Sequence, residues 1–128
     1  MKDVTAAIII KEGRVFIARR AKGENHAGCW EFPGGKVEPL ETPEECLRRE
    51  LYEEFGVEAR IKEFITESIC EYDRGKIRLL AYKADLSGGE ISLKVHDEYR
   101  WVLVGDLLKY DLLPADIPIA KKVREILQ

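Results

Sequence analysis

Gly35-Lys36-Val37-Glu38-Pro39-Leu40-Glu41-Thr42-Pro43-Glu44-Glu45-Cys46-Leu47-Arg48-Arg49-Glu50-Leu51-Tyr52-Glu53-Glu54-Phe55-Gly56-Val57 is the stretch on which the reading of this chain turns. Its second half predicts a helix over residues 43–55. Thr42 is a good N-cap, Glu45 stands where a capping-box partner belongs, and Pro43 takes the first helical position, where a missing N–H costs nothing. Gly56 can end the helix in the left-handed conformation. Leu47, Leu51 and Phe55 recur at i, i+4 and i+8 and predict a buried stripe. Glu50, Glu53 and Glu54 stand at i, i+3 and i+4, within roughly a 100° arc of the same helix. Each close pair of carboxylates repels by on the order of 4 kcal/mol at an effective dielectric near 20, so solvent, salt or a bound cation must relieve the arc. Carboxylate oxygens suit Mg²⁺ or Mn²⁺. The plain alternative is a solvated acidic helix face. Three features weigh against it: the arc borders the apolar stripe, a Gly-Gly pair upstream lets backbone approach a ligand, and Arg49 lies within reach of a loop carboxylate such as Glu41.

Working outward, residues 4–10 are rich in β-branched side chains and read as a buried strand. Residues 14–19 form its antiparallel partner across the turn Lys11-Glu12-Gly13, with Val15 and Ile17 on one face. A loop over residues 21–28 leads into Trp30-Glu31-Phe32-Pro33-Gly34-Gly35-Lys36-Val37-Glu38. Beyond the helix, residues 57–70 and 77–85 read as strands joined by a turn at residues 72–75, Gly88-Gly89 as a turn, and residues 99–104 as a further strand. A last helix starts with Asp116 as cap and Pro118 in its first turn, with Ile119, Val123 and Ile126 on one face. The order strands, helix, strands, helix predicts an α/β (α+β) class fold, a mixed β-sheet sandwiched between helices, as a single domain over residues 1–128.

Composition narrows the partners. A net charge of −3 is too weak to argue for a nucleic-acid polymer or an anionic membrane surface. The longest apolar run near the N-terminus, residues 6–10, ends at Lys11 and is too short for a signal peptide or a membrane span. Cys29, Cys46 and Cys70 are odd in number and lack CxxC spacing, which disfavours a disulfide framework or a zinc site and suits a reducing cytosol. A cytoplasmic protein is expected, as a monomer or homodimer.

The quoted stretch is similar to the signature G-x5-E-x7-R-E-U-x-E-E-x-G-U, with U aliphatic, of the Nudix hydrolases; Gly35, Glu41, Arg49, Glu50, Leu51, Glu53, Glu54, Gly56 and Val57 meet every specified position. The segment 30–38, the run Tyr99-Arg100-Trp101-Val102 and the run Leu113-Pro114-Ala115-Asp116-Ile117-Pro118 resemble the MutT-like and CTP pyrophosphohydrolase-like subgroup, so the likeness covers nearly the whole chain. The resemblance implies the Nudix fold and a Mg²⁺-dependent (Mn²⁺ as alternative) nucleoside-triphosphate pyrophosphohydrolase. Its products would be a nucleoside monophosphate and pyrophosphate. Its substrates would be CTP, dCTP or a modified cytidine nucleotide, or 8-oxo-dGTP in nucleotide-pool sanitation.

The resemblance also implies roles. Glu50, Glu53, Glu54 and the Gly34 carbonyl would bind metal; Glu53, Glu54 and Arg49 would be catalytic, with Arg49 orienting the helix by pairing with Glu41; Gly35, Glu41 and Gly56 would shape the box. Nucleotide contacts fall to Arg20 (phosphates), Glu31, Phe32 and Asp116 (base), the last also serving as a cap. Relatives often carry a further glutamate six residues ahead of the tryptophan, where this chain has Val95; Asp97 or Glu98 are the candidates to replace it, and His96 reads as a loop histidine. Three other readings stay open. Tyr72 stands near the tyrosine of dinucleoside-polyphosphate hydrolases. ADP-ribose hydrolases usually show a proline some fifteen residues past the box, and this chain has none between Pro43 and Pro114. A non-catalytic nucleotide-binding domain would explain Val95, whereas a purely structural role leaves the clustered glutamates without a purpose.

Overall fold

The first hairpin sets the layers. In the computed structural model, which describes residues 1–72 and 75–127, β1 (Lys2–Lys11) turns through Glu12 and Gly13 into β2 (Arg14–Arg20). Strand side chains alternate between faces. Ala6, Ile8, Val15 and Ile17 therefore point one way and Ala7, Ile9, Phe16 and Ala18 the other, and every one of them is buried. A sheet that is apolar on both faces must be covered on both. Helix α1 (Pro43–Phe55) covers the second face with Leu47, Leu51 and Phe55. Helix α2 (Asp116–Leu127) and a 3-10 helix (Val104–Lys109) cover the first with Ile119, Ala120, Val123 and Leu107. The expected sandwich is thus the observed one.

The remaining strands are β3 (Trp30–Glu31), β4 (Glu58–Tyr72), β5 (Gly75–Gly88) and β6 (His96–Leu103). The sheet runs β3-β2-β1-β5-β4, with β6 also on β2. Among the paired strands of the described residues β1 and β5 run parallel, from Lys2↔Ile77 to Ile9↔Ala84, and the others antiparallel, which makes the sheet mixed. β1 and β2 pair only at Ile10↔Val15 and Lys11↔Arg14 and then diverge. The chain after β3 fills the opening along β1. The Pro33 carbonyl accepts from the Ala7 N–H and the Gly35 carbonyl from the Thr5 N–H, both at 2.7 Å, and the Val37 N–H donates to the Asp3 carbonyl at 3.0 Å. The approach is so close that a Cβ on Gly34 would stand 1.9 Å from the Thr5 carbonyl oxygen.

Helix α1 has the bounds that the local signals predict. Thr42 accepts from the Glu45 N–H at 3.1 Å and its own N–H donates to the Glu45 carboxylate at 2.9 Å, a complete capping box, while Gly56 ends the helix at φ 70°. Elsewhere the structure corrects the reading. β4 and β5 run further towards each other than expected, so that Tyr72 and Gly75 pair as strand ends; the two residues between them in the expected turn lie outside the described ones. β6 begins at His96 rather than at residue 99. Ile126 is 50% exposed and does not share the buried face of Ile119 and Val123. Asp116 is the first residue of α2, and its carboxylate turns to the Phe32 N–H instead of capping its own helix. Among the described residues no helix is long and apolar enough to cross a membrane.

Thr42→Ala is expected to cost about 1 kcal/mol through the lost cap, and Gly34→Ala about 2–3 kcal/mol through overpacking against β1. Urea unfolding of the two variants beside the wild type checks both. A Gly34→Ala protein as stable as the wild type would show that the loop does not need this close approach.

Candidate active site

Arg49 ties the loop to the helix. Its Nε and Nη2 meet the two oxygens of Glu41 at 2.7 and 2.9 Å, a bidentate pair. Nη2 also donates to the Lys36 carbonyl at 3.1 Å, and Nη1 reaches Glu50 at 2.8 Å and Glu53 at 3.0 Å. Hydrogen bonds from Arg49, then from the Glu38 N–H, hold the Glu41 carboxyl down at about 2. Below the loop lie two groups that sequence reasoning passed over. The Thr5 hydroxyl and the Cys46 thiol are buried, 3.4 Å apart, and each hydrogen-bonds the Gly35 carbonyl. Burial pushes the Cys46 thiol up to about 11, so it stays a neutral packing group.

Glu50 lies against Gly35: a Cβ there would sit 2.2 Å from its carboxyl carbon. The second glycine of the pair is thus required by a glutamate, as the first is by β1. Glu54, one helical turn on, is pushed up to about 8, first by burial and then by the charges of Glu50 and Glu31. Glu53 is half-exposed. Among the described residues no three His, Cys, Asp or Glu side chains converge as a ready ligand cluster. Glu50 and Glu53 both turn to Arg49.

The expected nucleotide contacts gather round Glu31. Arg20 pairs with Glu31 at 2.9 Å and donates to the Asn25 carbonyl at 2.5 Å. The same Glu31 oxygen meets Nε2 of His96 at 2.8 Å. Asp116 is buried, accepts from the Phe32 N–H at 3.3 Å, and is pushed well above the ordinary carboxylate range by burial and then by the charge of Glu31. The Ala115 N–H beside it donates to the Tyr72 hydroxyl at 3.2 Å. The Phe32 ring packs in the core on the α2 side, so its N–H, not its ring, touches this group of residues.

Two expectations fail here. Asp97 and Glu98 turn to arginines instead of to the α1 glutamates. Asp97 pairs with Arg19 at 2.7 Å, and Glu98 pairs with Arg19 at 3.4 Å and Arg100 at 2.6 Å. Both arginines lie over the Trp30 ring, on the face of the sheet away from α1. His96 is no loop histidine: it starts β6, its side chain is fully buried, and its ring stacks on Phe55 with centroids 5.0 Å apart. The physical cause is a register slip, since Arg19 pairs with Glu98 but Arg20 with His96, leaving Asp97 as an extra residue. A reading by strict alternation cannot see it.

The chain belongs to the Nudix hydrolase family, whose NUDIX domain matches residues 1–123. It is 39% identical over 119 residues to the CTP pyrophosphohydrolase of Escherichia coli, covering 93% of this chain and 88% of that protein. It is 38% identical over 101 residues to the 8-oxo-dGTP diphosphatase of Haemophilus influenzae, covering 78% of this chain and 74% of that protein. The solution structure of the E. coli ORF135 protein is similar with a TM-score of 0.89 and 37% identity, covering 98% of this chain and 90% of that one.

Nudix hydrolases generally need a divalent metal, and the residues here fit one. The donors are hard oxygens, and burial beside the carboxylates of Glu50 and Glu31 makes Glu54 costly to ionise, a cost that a bound cation would offset. The Pro33 and Gly35 carbonyls are consumed by β1, whereas among the described residues none donates to the Gly34 carbonyl.

A pH dependence follows. The unfolded Glu54 carboxyl titrates near 4.5 and the folded one near 8, so the folded state keeps a proton that the unfolded state has released. Metal-free protein is therefore expected to lose stability as pH climbs from 4.5 towards 8, with nothing lost through this group below 4.5. Thermal melts in chelator across that range check it. Glu54→Gln should flatten the slope and raise Tm at the alkaline end; an unchanged slope would acquit Glu54.

Proposed function

We propose that this Nudix hydrolase is a Mg²⁺-dependent nucleoside-triphosphate pyrophosphohydrolase that releases a nucleoside monophosphate and pyrophosphate, with a cytidine nucleotide as the leading substrate. The observation that carries the reading is the continuous run of groups from Glu50 and Glu54, through Glu31 and Arg20, to Asp116. It offers a metal end, a phosphate end and a base end in that order. When bound, Mg²⁺ supplies Lewis acidity and lowers the pKa of water. Glu50, Glu54 and the Gly34 carbonyl would hold it, with the exposed Glu53 assisting. Arg49 keeps Glu50 and the box loop in place. Arg20 meets the phosphates.

Asp116 suits cytosine, as it does any base edge that sets a donor beside an acceptor. Burial favours its neutral carboxyl, which both donates and accepts a hydrogen bond. Cytosine offers the complement, a ring-nitrogen acceptor beside an exocyclic amine donor. The relative named as a CTP pyrophosphohydrolase agrees with this, and the relative named as an 8-oxo-dGTP diphosphatase keeps 8-oxo-dGTP as the second substrate. An odd number of cysteines without CxxC spacing suits work in the cytoplasm.

The test is a hydrolysis screen with Mg²⁺ that follows pyrophosphate from CTP, dCTP, 5-methyl-dCTP and 8-oxo-dGTP, and nucleoside monophosphate from ADP-ribose and a dinucleoside polyphosphate. Preference for a cytidine triphosphate is expected, and silence on every triphosphate would overturn the reading. Glu54→Gln should lower kcat by on the order of 10²–10⁴ with the fold retained. Asp116→Asn, which keeps one donor and one acceptor, should hold the cytidine KM, whereas Asp116→Leu should lose it; equal losses in the two would remove Asp116 from base recognition.

A further inference from the structure

The slip at the start of β6 exchanges one side chain for another. The Tyr99 ring stacks on Phe16, on the α1 face. Unbroken alternation from Tyr99 would send Asp97 to that face and His96 away from it. The extra residue reverses the two, a known use of bulges beside functional sites. His96 arrives with its side chain fully buried, its ring stacked on Phe55, and one polar contact, Nε2 to Glu31 at 2.8 Å. Among the described residues its buried Nδ1 has no partner. A carboxylate only accepts, so the Nε2–H form makes the bond. The Glu31 oxygen that takes it also takes Arg20, at 2.9 Å. A buried imidazole is a poor way merely to fill space, because a leucine would do so without polar groups to satisfy. What it adds is a donor fixed by close packing.

We infer that His96 is a positioning residue for the nucleotide's phosphate chain: packed against Phe55, it holds the Glu31 carboxylate, and through Glu31 the Arg20 guanidinium, in the orientation that receives the substrate. The inference rests on the triphosphate-hydrolase reading and deepens it. His96 touches no reacting atom. It acts by removing freedom from two side chains that would otherwise be ordered at the expense of binding, so its removal should fall on KM more than on kcat. Metal binding without nucleotide should be untouched, because neither Glu31 nor Arg20 belongs to the metal-binding set.

The experiment compares wild type, His96→Leu, His96→Gln, Glu31→Ala and the His96→Leu/Glu31→Ala double variant. Steady-state kinetics use the preferred triphosphate, calorimetry follows Mn²⁺ and the product monophosphate separately, and ¹⁵N NMR of the wild-type imidazoles reports the tautomer. The expected spectrum has the His96 proton on Nε2. His96→Leu should raise KM about tenfold, with a smaller fall in kcat and Mn²⁺ affinity as in the wild type. Gln places an amide nitrogen near the position of Nε2 and should recover most of the loss. The double variant should be no worse than Glu31→Ala alone, since the two act as one unit. An Nε2 without a proton, a His96→Leu enzyme with wild-type KM, a Gln variant as impaired as the Leu variant, additive losses, or a loss confined to Mn²⁺ affinity would each overturn it. If His96→Leu does not fold, the Gln variant and the tautomer decide. If the wild type turns over no triphosphate, the hydrolase reading has failed, and monophosphate affinity across the variants still judges His96.

Discussion

One guanidinium holds the site together. Arg49 engages both oxygens of Glu41, the Lys36 carbonyl, Glu50 and Glu53. Five donors in a planar fork can serve a loop carboxylate, a loop carbonyl and two helix carboxylates at once, which a lysine ammonium cannot. The glutamates of α1 would otherwise repel one another and the loop, and the loop would be left with the weak Cys46 thiol bond to the Gly35 carbonyl as its tie to the helix. The cation that a Nudix site needs would then meet ligands with no common frame.

The frame depends on a gap in the sheet. β1 and β2 separate after two residue pairs, and the segment 33–37 takes up the hydrogen bonds that a longer hairpin would have used. The backbone passes between a strand carbonyl on one side and the Glu50 carboxylate on the other, and neither side leaves room for a Cβ. The paired glycines therefore answer two separate contacts. Thr5 and Cys46 close the space beneath, both bonded to the Gly35 carbonyl, so the functional loop rests on a dry floor continuous with the core.

The two faces of the sheet divide the charges. On the α2 side Arg19 and Arg100 lie over Trp30 and neutralise Asp97 and Glu98 in a partly exposed network. Such a network is worth little to stability, but it keeps these acids from the site. On the α1 side Arg20, Glu31 and His96 form a smaller, drier group beside Glu54. One inserted residue in β6 decides which of His96 and Asp97 falls on which side.

The sequence by itself determined helix α1 and the family it belongs to. Thr42, Glu45, Gly56 and the stripe of Leu47, Leu51 and Phe55 act within one or two helical turns, and so do Arg49, Glu50, Glu53 and Glu54. Such signals are complete in a short window and survive without knowledge of the rest of the chain. The layered fold was legible for the same reason, from alternation in β1 and β2 and from the two amphipathic helices. Tertiary structure alone decided that Phe32 turns into the core, that Asp116 serves the Phe32 N–H 84 residues away instead of its own helix, and that His96 rather than Asp97 faces the site. Those outcomes depend on the register between distant strands. A slip of one residue reverses every side chain beyond it, and its energy is set by partners that no local pattern names.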